Sequence, residues 1–487
     1  MIDAVVIGAG PNGLAAAVTL ARAGMTVQVV EAQSTPGGGA RTADLGLGDG
    51  LVHDLCSAVH PLAWASPFFR ELGLADAVDL ITPEVAYAQP LTREVAAVAY
   101  HDLESTVARL DREGTGWARL LNPLVEHHDV LLALALGDKR GLPDGIGPRS
   151  LPTALHTAVR ALRHSLPAAG GLGPRAAALL TGVAAHANTR LTSPAATATG
   201  LLLAALAHAG RSWSIPRGGS QTITDALVRD LHAHGGELIL DHPVRSSRDL
   251  PEARVCLADL APGAAATLLA DRIPSRVRSA LLAYRHGAGV AKVDFALSGP
   301  VPWAAPDVGG AATVHLGGSR AEMLRSEHDV ARGRHAERPV TLVSDPTVLD
   351  RSRLAGGLRP LWTYAHVPTG SDRDMTASVV ERIEAFAPGF ADLVVAARCV
   401  PAARMAQHNA NYVGGDVLGG RITVTGMVAR PTWRPDPYRV GERTFLCSSS
   451  TPPGPGVHGL SGMFAARRAL RVLGRTEAQR PVPAGGS

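Results

Sequence analysis

Ala4-Val-Val-Ile7 runs into Gly8-Ala-Gly10-Pro-Asn-Gly13, and Leu14 to Ala23, rich in Ala and Leu, leads past Gly24 to Val27-Gln-Val-Val30 and Glu31. The two short β-branched runs read as buried strands and the segment between them as a helix. The order is strand, glycine turn, helix, strand, acid, which is the context a dinucleotide-binding βαβ unit requires. A bare glycine triplet carries little weight, because 53 glycines in 487 residues make chance matches common. Each position has a physical task. Gly8 allows the tight turn, Gly10 lets backbone approach a pyrophosphate, and Gly13 lets helix and strand pack closely. Pro11 and Asn12, within the turn, are expected to touch the cofactor, and the helix N-terminus that follows offers free N–H groups and a positive dipole end to phosphate. Glu31, followed by Ala32, is placed to accept hydrogen bonds from a ribose 2′-OH and to repel a 2′-phosphate.

Just downstream stands Gly37-Gly38-Gly39-Ala-Arg41-Thr42. It resembles the second signature of the glutathione-reductase-fold flavoproteins, where an acid is followed at this distance by Gly-Gly and an arginine. The arginine falls two positions later than in the amine-oxidase relatives. The resemblance implies that this segment lies along a diphosphate and ribityl chain, and it favours FAD over NAD.

The length predicts two or three domains, and 46% hydrophobic with 18% charged residues is a globular balance. The net charge of +4 is carried by dispersed arginines, with Lys139 and Lys292 the only lysines, and aromatics are 4%. That pattern argues against nucleic-acid binding and allows at most peripheral membrane contact. Cys56, Cys256, Cys399 and Cys447 form no C-x-x-C pair, so no metal site is expected and a reducing, cytoplasmic setting is. The first strand begins at once, without a basic leader, and the apolar stretches Val130–Leu136 and Leu201–Ala207 are too short to span a bilayer.

In chain order, His53-Asp54 and Ser57 to His60 follow the second signature, as a candidate active-site lining or as a loop packed on the cofactor domain. A helix is expected from Ser66 to Leu72. Residues 76–212, dominated by Ala and Leu with Gly/Pro punctuation such as Gly141–Pro148 and Gly170–Pro174, read as the helical part of a substrate domain. Within it Thr199–Ala209 is apolar nearly all round, so a buried helix or a tunnel wall. Residues 213–287 read as the return to the cofactor domain, with a helix Gln221–Ala233, strands Glu237–Leu240 and Arg254–Asp259, and Val244 expected near an adenine. Residues 288–438 read as a sheet, with strands at Val290–Leu297, Thr313–Leu316 and Leu361–His366, a helix at Ser378–Phe386 and a polar loop Gln407–Asp416 at the domain interface. Residues 439–487 bring a strand, Thr444–Cys447, then Gly454-Pro-Gly456-Val457-His458-Gly459 and a helix through Met463 to Leu473. Too little chain follows this second glycine triplet for another dinucleotide unit. The helix N-terminus is instead expected to face the same flavin, whose reduced form carries negative charge.

GAGPNG, PGGGART, CSAVHPL, VAKVDFAL with PVPW, HNANYVGGD and TPPGPGVHGLSG together resemble the phytoene-dehydrogenase-like FAD oxidoreductases, relatives of bacterial phytoene desaturases and flavin amine oxidases. The likeness covers nearly the whole chain and is weakest over residues 95–210 and 320–360. It implies an α/β fold: a Rossmann-like FAD domain of glutathione-reductase type assembled from segments 1–75, 213–287 and 439–487, and a mixed sheet-and-helix substrate domain from 76–212 and 288–438. It implies hydride transfer from a carbon centre of a largely apolar small molecule to flavin N5, with oxygen or a quinone as the further acceptor. Lys292, His60 and His458 are the catalytic candidates: Lys292 as the amine-oxidase lysine near N5 or a snorkelling surface lysine, His458 as proton carrier or helix cap. Flavin-assisted isomerisation or cyclisation, amine oxidation with Trp362, Tyr364 or Trp433 walling the flavin, and a non-catalytic lipid-binding role are the alternatives.

Overall fold

The computed structural model describes residues 1–138, 146–166 and 171–474. Lys139 and parts of both Gly/Pro-punctuated stretches, 141–145 and 170, lie outside the described residues. A five-stranded parallel sheet has the order Thr444–Leu446, Ala253–Ala258, Ile2–Ile7, Val27–Val30, Glu237–Ile239. Its strands come from the beginning, the middle and the end of the chain, so one sheet joins three distant segments. Central strands of a parallel sheet are covered on both faces, which explains why Ala4-Val-Val-Ile7 is apolar throughout and buried.

The opening helix (Pro11–Arg22) and the closing helix (Leu460–Val472) pack side by side on one face of this sheet. Small residues set how close they come. A Cβ at Gly462 would lie 1.9 Å from the Asn12 carbonyl oxygen, and one at Gly13 would lie 2.0 Å from that of Gly8. The opening helix begins at Pro11, earlier than its run of apolar residues suggests, because proline suits the first helical turn.

The second sheet has seven strands, in the order Val394–Val400, Gly289–Leu297, Arg359–Val367, Thr341–Ser344, Thr313–Leu316, Val85–Pro90, Ala96–Tyr100. The last two correct the reading of residues 76–212 as helical: they form a hairpin that extends the sheet. Their alanines favour helix intrinsically, but pairing and burial of Ala86, Tyr87, Ala88 and Ala97 to Ala99 override that preference. The helices of that region, Gly114–Glu126, His128–Leu136, Leu151–Ser165, Pro174–Ala184 and Pro194–Ala207, pack beside the sheet and on one another. The strands Thr341–Ser344 and Val394–Val400 and the helix Arg320–Ala331 have no counterpart among the elements expected from sequence.

Register divides this sheet into two faces. Thr313, Ser344, Trp362 and Asp294 lie in one cross-strand row, and His315, Leu342, Tyr364 and Lys292 in the next. Alternation puts both rows on the same face. Val293, Phe295, Val314, Val343, Leu361 and Ala365 point the other way into an apolar core. No described helix is long and apolar enough to cross a membrane.

Gly462→Ala is expected to push the two helices apart and cost about 1–3 kcal/mol in urea unfolding. An unchanged midpoint would show that the contact yields without cost.

Candidate cofactor and active site

A cavity of about 930 Å³ runs between the two sheets. At one end it is lined by Gly8, Gly10, Pro11, Asn12, Glu31 and Ala32, with Val244 nearby, and then by Gly38, Gly39 and Arg41. Gly456, Val457 and His458 line it from the closing segment. Gly10 caps the opening helix without a side chain of its own, Pro11 has no N–H, and Gly13 N–H is taken by Asp259 Oδ2, so within the first turn the Asn12 N–H is the group without a capping side chain. A Cβ at Gly10 would lie 2.6 Å from Asp259 Oδ2, and one at Gly38 would lie 3.0 Å from Gly10 Cα. This is a cradle that only bare backbone fits.

Glu31 ends its strand with both oxygens anchored: Oε2 accepts from Ala9 N–H at 2.7 Å and Oε1 from Gln33 N–H at 3.0 Å. Arg41 Nε donates to the Gly38 carbonyl at 3.0 Å, and its guanidinium also reaches the His408 carbonyl. The arginine thereby ties the second glycine signature to the polar loop of residues 407–416. Asn411 completes the tie. Its Nδ2 donates to the Asp259 carbonyl at 2.9 Å, and its Oδ1 accepts from Ala261 N–H at 2.7 Å. Tyr412 closes over Gly39, where a Cβ would meet its hydroxyl at 2.1 Å.

Asp259 and Asn411 are site residues that sequence reasoning missed. The only signal for Asp259 was its place at the end of a strand expected to return to the cofactor domain. Its Oδ2 accepts from Gly13 N–H at 3.0 Å. Burial pushes its carboxyl up to about 7, the Gly13 hydrogen bond opposes that, and the charge of Glu31 adds to it. A neutral carboxyl at this place does not repel a diphosphate.

The candidate catalytic residues fare differently. His60 lines the cavity, and Ser220 Oγ, which donates to the Ser57 carbonyl at 2.5 Å, takes His60 Nε2–H at 2.8 Å. His60 Nδ1 is then the bare nitrogen, buried and without a partner, and burial lowers the ring to about 4, so it is neutral. His458 Nδ1 accepts from Leu460 N–H at 3.1 Å, and its Nε2 meets the Gly454 carbonyl at 3.2 Å. His458 thus meets the first N–H of the closing helix while also lining the cavity. Lys292 is 3% exposed, which rules out a snorkelling surface lysine. It is ion-paired with Asp294 and lies 5.6 Å from the Trp362 ring centroid, on the same sheet face as Trp362 and Tyr364 but not among the residues that line the cavity. Three expected cofactor contacts also lie outside the lining. Gly13 packs on Gly8, Gly37 donates from its N–H to the Ala9 carbonyl at 2.8 Å, and Met463 is buried in the core between the helices. Trp362 and Tyr364 line the cavity with ring centroids 5.0 Å apart and planes at 76°, whereas Trp433 is 70% exposed. His53 and Asp54 serve the scaffold: Asp54 is bridged to Arg353 at 3.0 Å and His53 Nε2 to the Phe295 carbonyl at 3.1 Å.

The residues present fit FAD. A backbone cradle and helix N-terminus suit a diphosphate, Asn12 Oδ1 is buried without a partner beside them, and the long cavity continues from there between the two sheets. Among the described residues no cluster of side chains suits a metal.

Glu31→Arg is expected to strip FAD from the purified protein, and a variant that keeps a full flavin load would refute the ribose assignment. Asp259 supplies a pH prediction. Its folded pKa lies above the unfolded value near 3.8, so the folded state holds an extra proton between about pH 4 and 7 and loses stability as pH rises through that window. Asp259→Asn keeps an acceptor for Gly13. In the cofactor-free protein it should gain up to about 4 kcal/mol over wild type at pH 8 and nothing near pH 3; equal gains at both would contradict the assignment.

The sequence profile of the flavin-containing amine oxidoreductases matches residues 12–327. A "Pyridine nucleotide-disulfide oxidoreductase domain-containing protein 2" from Rattus norvegicus is 24% identical over 97% of this chain and 94% of its own. One of the polypeptides of limonene dehydrogenase from Castellaniella defragrans is 39% identical, over 112 residues that span 23% of this chain and 20% of that protein. Among solved structures, an oxidoreductase from Methanosarcina mazei has a TM-score of 0.58 at 14% identity, covering 96% of this chain and all of its own. A putrescine oxidase redesigned in its cofactor binding has 0.60 at 15%, covering 98% and 99%. Cyclohexylamine oxidase from Brevibacterium oxydans has 0.54 at 15%, covering 97% and 100%. At such identities these likenesses establish the fold, a mixed α/β architecture with a parallel cofactor-binding sheet. The profile match spans well over half of the chain, and with FAD as its cofactor this flavin-dependent oxidoreductase belongs to the flavin-containing amine oxidoreductase family.

Proposed function

We propose that the protein is a dehydrogenase of the phytoene-dehydrogenase-like type, which takes hydride from a carbon centre of a largely apolar, uncharged small molecule. One observation carries this reading. Beyond the dinucleotide end the cavity wall is Leu131, Leu134, Ala161, Ala198, Leu202 and Ile422 with like neighbours, and the only carboxylates among the described lining residues are Glu31 and Asp259. Both stand at the dinucleotide end, where Glu31 accepts from Ala9 N–H and Asp259 from Gly13 N–H. An ammonium carried into the apolar end would meet no counter-charge, and burying an unpaired cation is costly. Lys292 adds none, being neutralised by Asp294.

Bound FAD supplies a two-electron acceptor for hydride leaving carbon. The chain's own residues bind, orient and exclude water. Leucines from the His128–Leu136 and Pro194–Ala207 helices keep the substrate end dry. His60, neutral and with a bare Nδ1, offers an acceptor for the proton that a neighbouring carbon gives up when a double bond forms. Lys292 and Asp294 flank Trp362 and Tyr364 from the neighbouring strand.

The test is anaerobic mixing of the flavin-loaded protein with a panel of terpenoid hydrocarbons, alcohols and ketones beside putrescine and cyclohexylamine. Bleaching of the flavin band by uncharged terpenoids alone supports the reading, and bleaching by the amines overturns it. Lys292→Met should slow that bleaching about tenfold or more with flavin content intact; an unchanged rate removes Lys292 from the reaction.

A further inference from the structure

Going beyond that reading, we infer that the mouth of the cavity is a docking surface for an anionic lipid bilayer, from which an apolar substrate enters. Two segments far apart in sequence build it. One is the helix Leu151–Ser165, and the other is the short helix Val424–Val428 with Trp433 after it.

The helix Leu151–Ser165 has two apolar sides with different fates. Thr157, Ala158 and Ala161 line the cavity. Leu151, Leu155, Val159 and Leu162, at i, i+4, i+8 and i+11, share another side. With Leu166 just past the helix, they are between 54% and 67% exposed. Single exposed aliphatic residues are normal, whereas a contiguous stripe of them marks a surface that something covers. The cavity wall here is one helix thick, with apolar side chains on its outer side as well. Val424 and Val428 stand at i and i+4 of the second helix. Both line the cavity and both are exposed, at 59% and 46%, so they mark its mouth. Trp433 lies a few residues on, its indole exposed. Such a ring, apolar in body and polar at its N–H, settles at the interface of a bilayer.

Charge identifies the occupant. From Gly145 to Thr224 the chain has no aspartate or glutamate, while Arg149, Arg160 and Arg163 accompany the stripe. From Val417 to Pro435 it has none either, and Arg421 and Arg434 are exposed there. The whole chain carries 47 basic and 43 acidic residues, so these two segments are set apart by their lack of acids. Each joins exposed apolar side chains to arginine, which complements negative headgroups over a hydrocarbon layer. Arginine stems lie along apolar surface while the guanidinium groups reach phosphate. An acidic protein would answer the charges, but it gives no reason for apolar stripes to adjoin the mouth of an apolar cavity. A bilayer does, because it dissolves the class of guest that the cavity wall suits.

The experiment is flotation of the flavin-loaded protein with vesicles of phosphatidylcholine, alone or mixed equally with phosphatidylglycerol. The protein should bind the mixed vesicles about tenfold more tightly or better, and less so as salt rises. Leu155→Ser combined with Leu162→Ser should weaken that binding about tenfold or more, and Trp433→Ser should weaken it several-fold. Flavin content and bleaching by a detergent-dispersed substrate should stay unchanged in both variants, since the replaced side chains are exposed. The surface is overturned by failure to float with either composition, by equal binding to both, or by binding that survives the leucine substitutions. A dimer in sedimentation velocity that those substitutions dissociate overturns it too, because a second copy would then cover the stripe. The wild-type comparison of the two compositions stands even where a variant fails to fold. A protein bleached by uncharged terpenoids that never floats sinks only this surface. One that floats yet is bleached by amines sinks only the dehydrogenase reading.

Discussion

The fold depends on a contact with no room in it. The closing helix can lie against the opening one only because Gly462 leaves space for the Asn12 carbonyl oxygen, and the opening helix meets its strand only because Gly13 leaves space for that of Gly8. These approaches fix the first helix relative to the sheet, and with it the N-terminus that faces the cavity. They also bring the last strand and helix of the chain to the first. A large part of the polypeptide separates the two, so this contact rather than local sequence makes the cofactor domain one body.

Electrostatics then sorts the cavity into two ends. Glu31 and Asp259 stand together at the phosphate loop, where burial and mutual repulsion keep Asp259 protonated up to near neutrality. Away from that end burial holds His60, His186 and His315 neutral, and Lys292 is paired with Asp294. Such a lining suits an uncharged guest. Under the proposed function, it is also what separates this protein from an amine oxidase built on the same fold.

Much of this was legible in the chain. The glycine turn, its helix, the second strand and Glu31 were readable because spacing and residue type are dictated by steric necessity. The helix at 221–233 and the strand at 313–316 matched their expected bounds, since strong periodicity with Gly and Pro punctuation leaves little choice. The hairpin at Val85–Tyr100 was not legible, because alanine favours helix and only the neighbouring strand at Thr313 makes it a sheet. Asp259 and Asn411 were invisible for a related reason. Their roles lie in what approaches them from hundreds of residues away or from across a sheet. Lys292 was singled out by rarity, and rarity does not reveal that Asp294, two residues on, is its partner.

The measurement that bears most directly on this account is the visible spectrum of the purified protein after incubation with FAD and removal of unbound cofactor. The account predicts a yellow protein carrying one flavin per chain. A protein that stays colourless would contradict it, because the head and tail of the chain would then enclose something else.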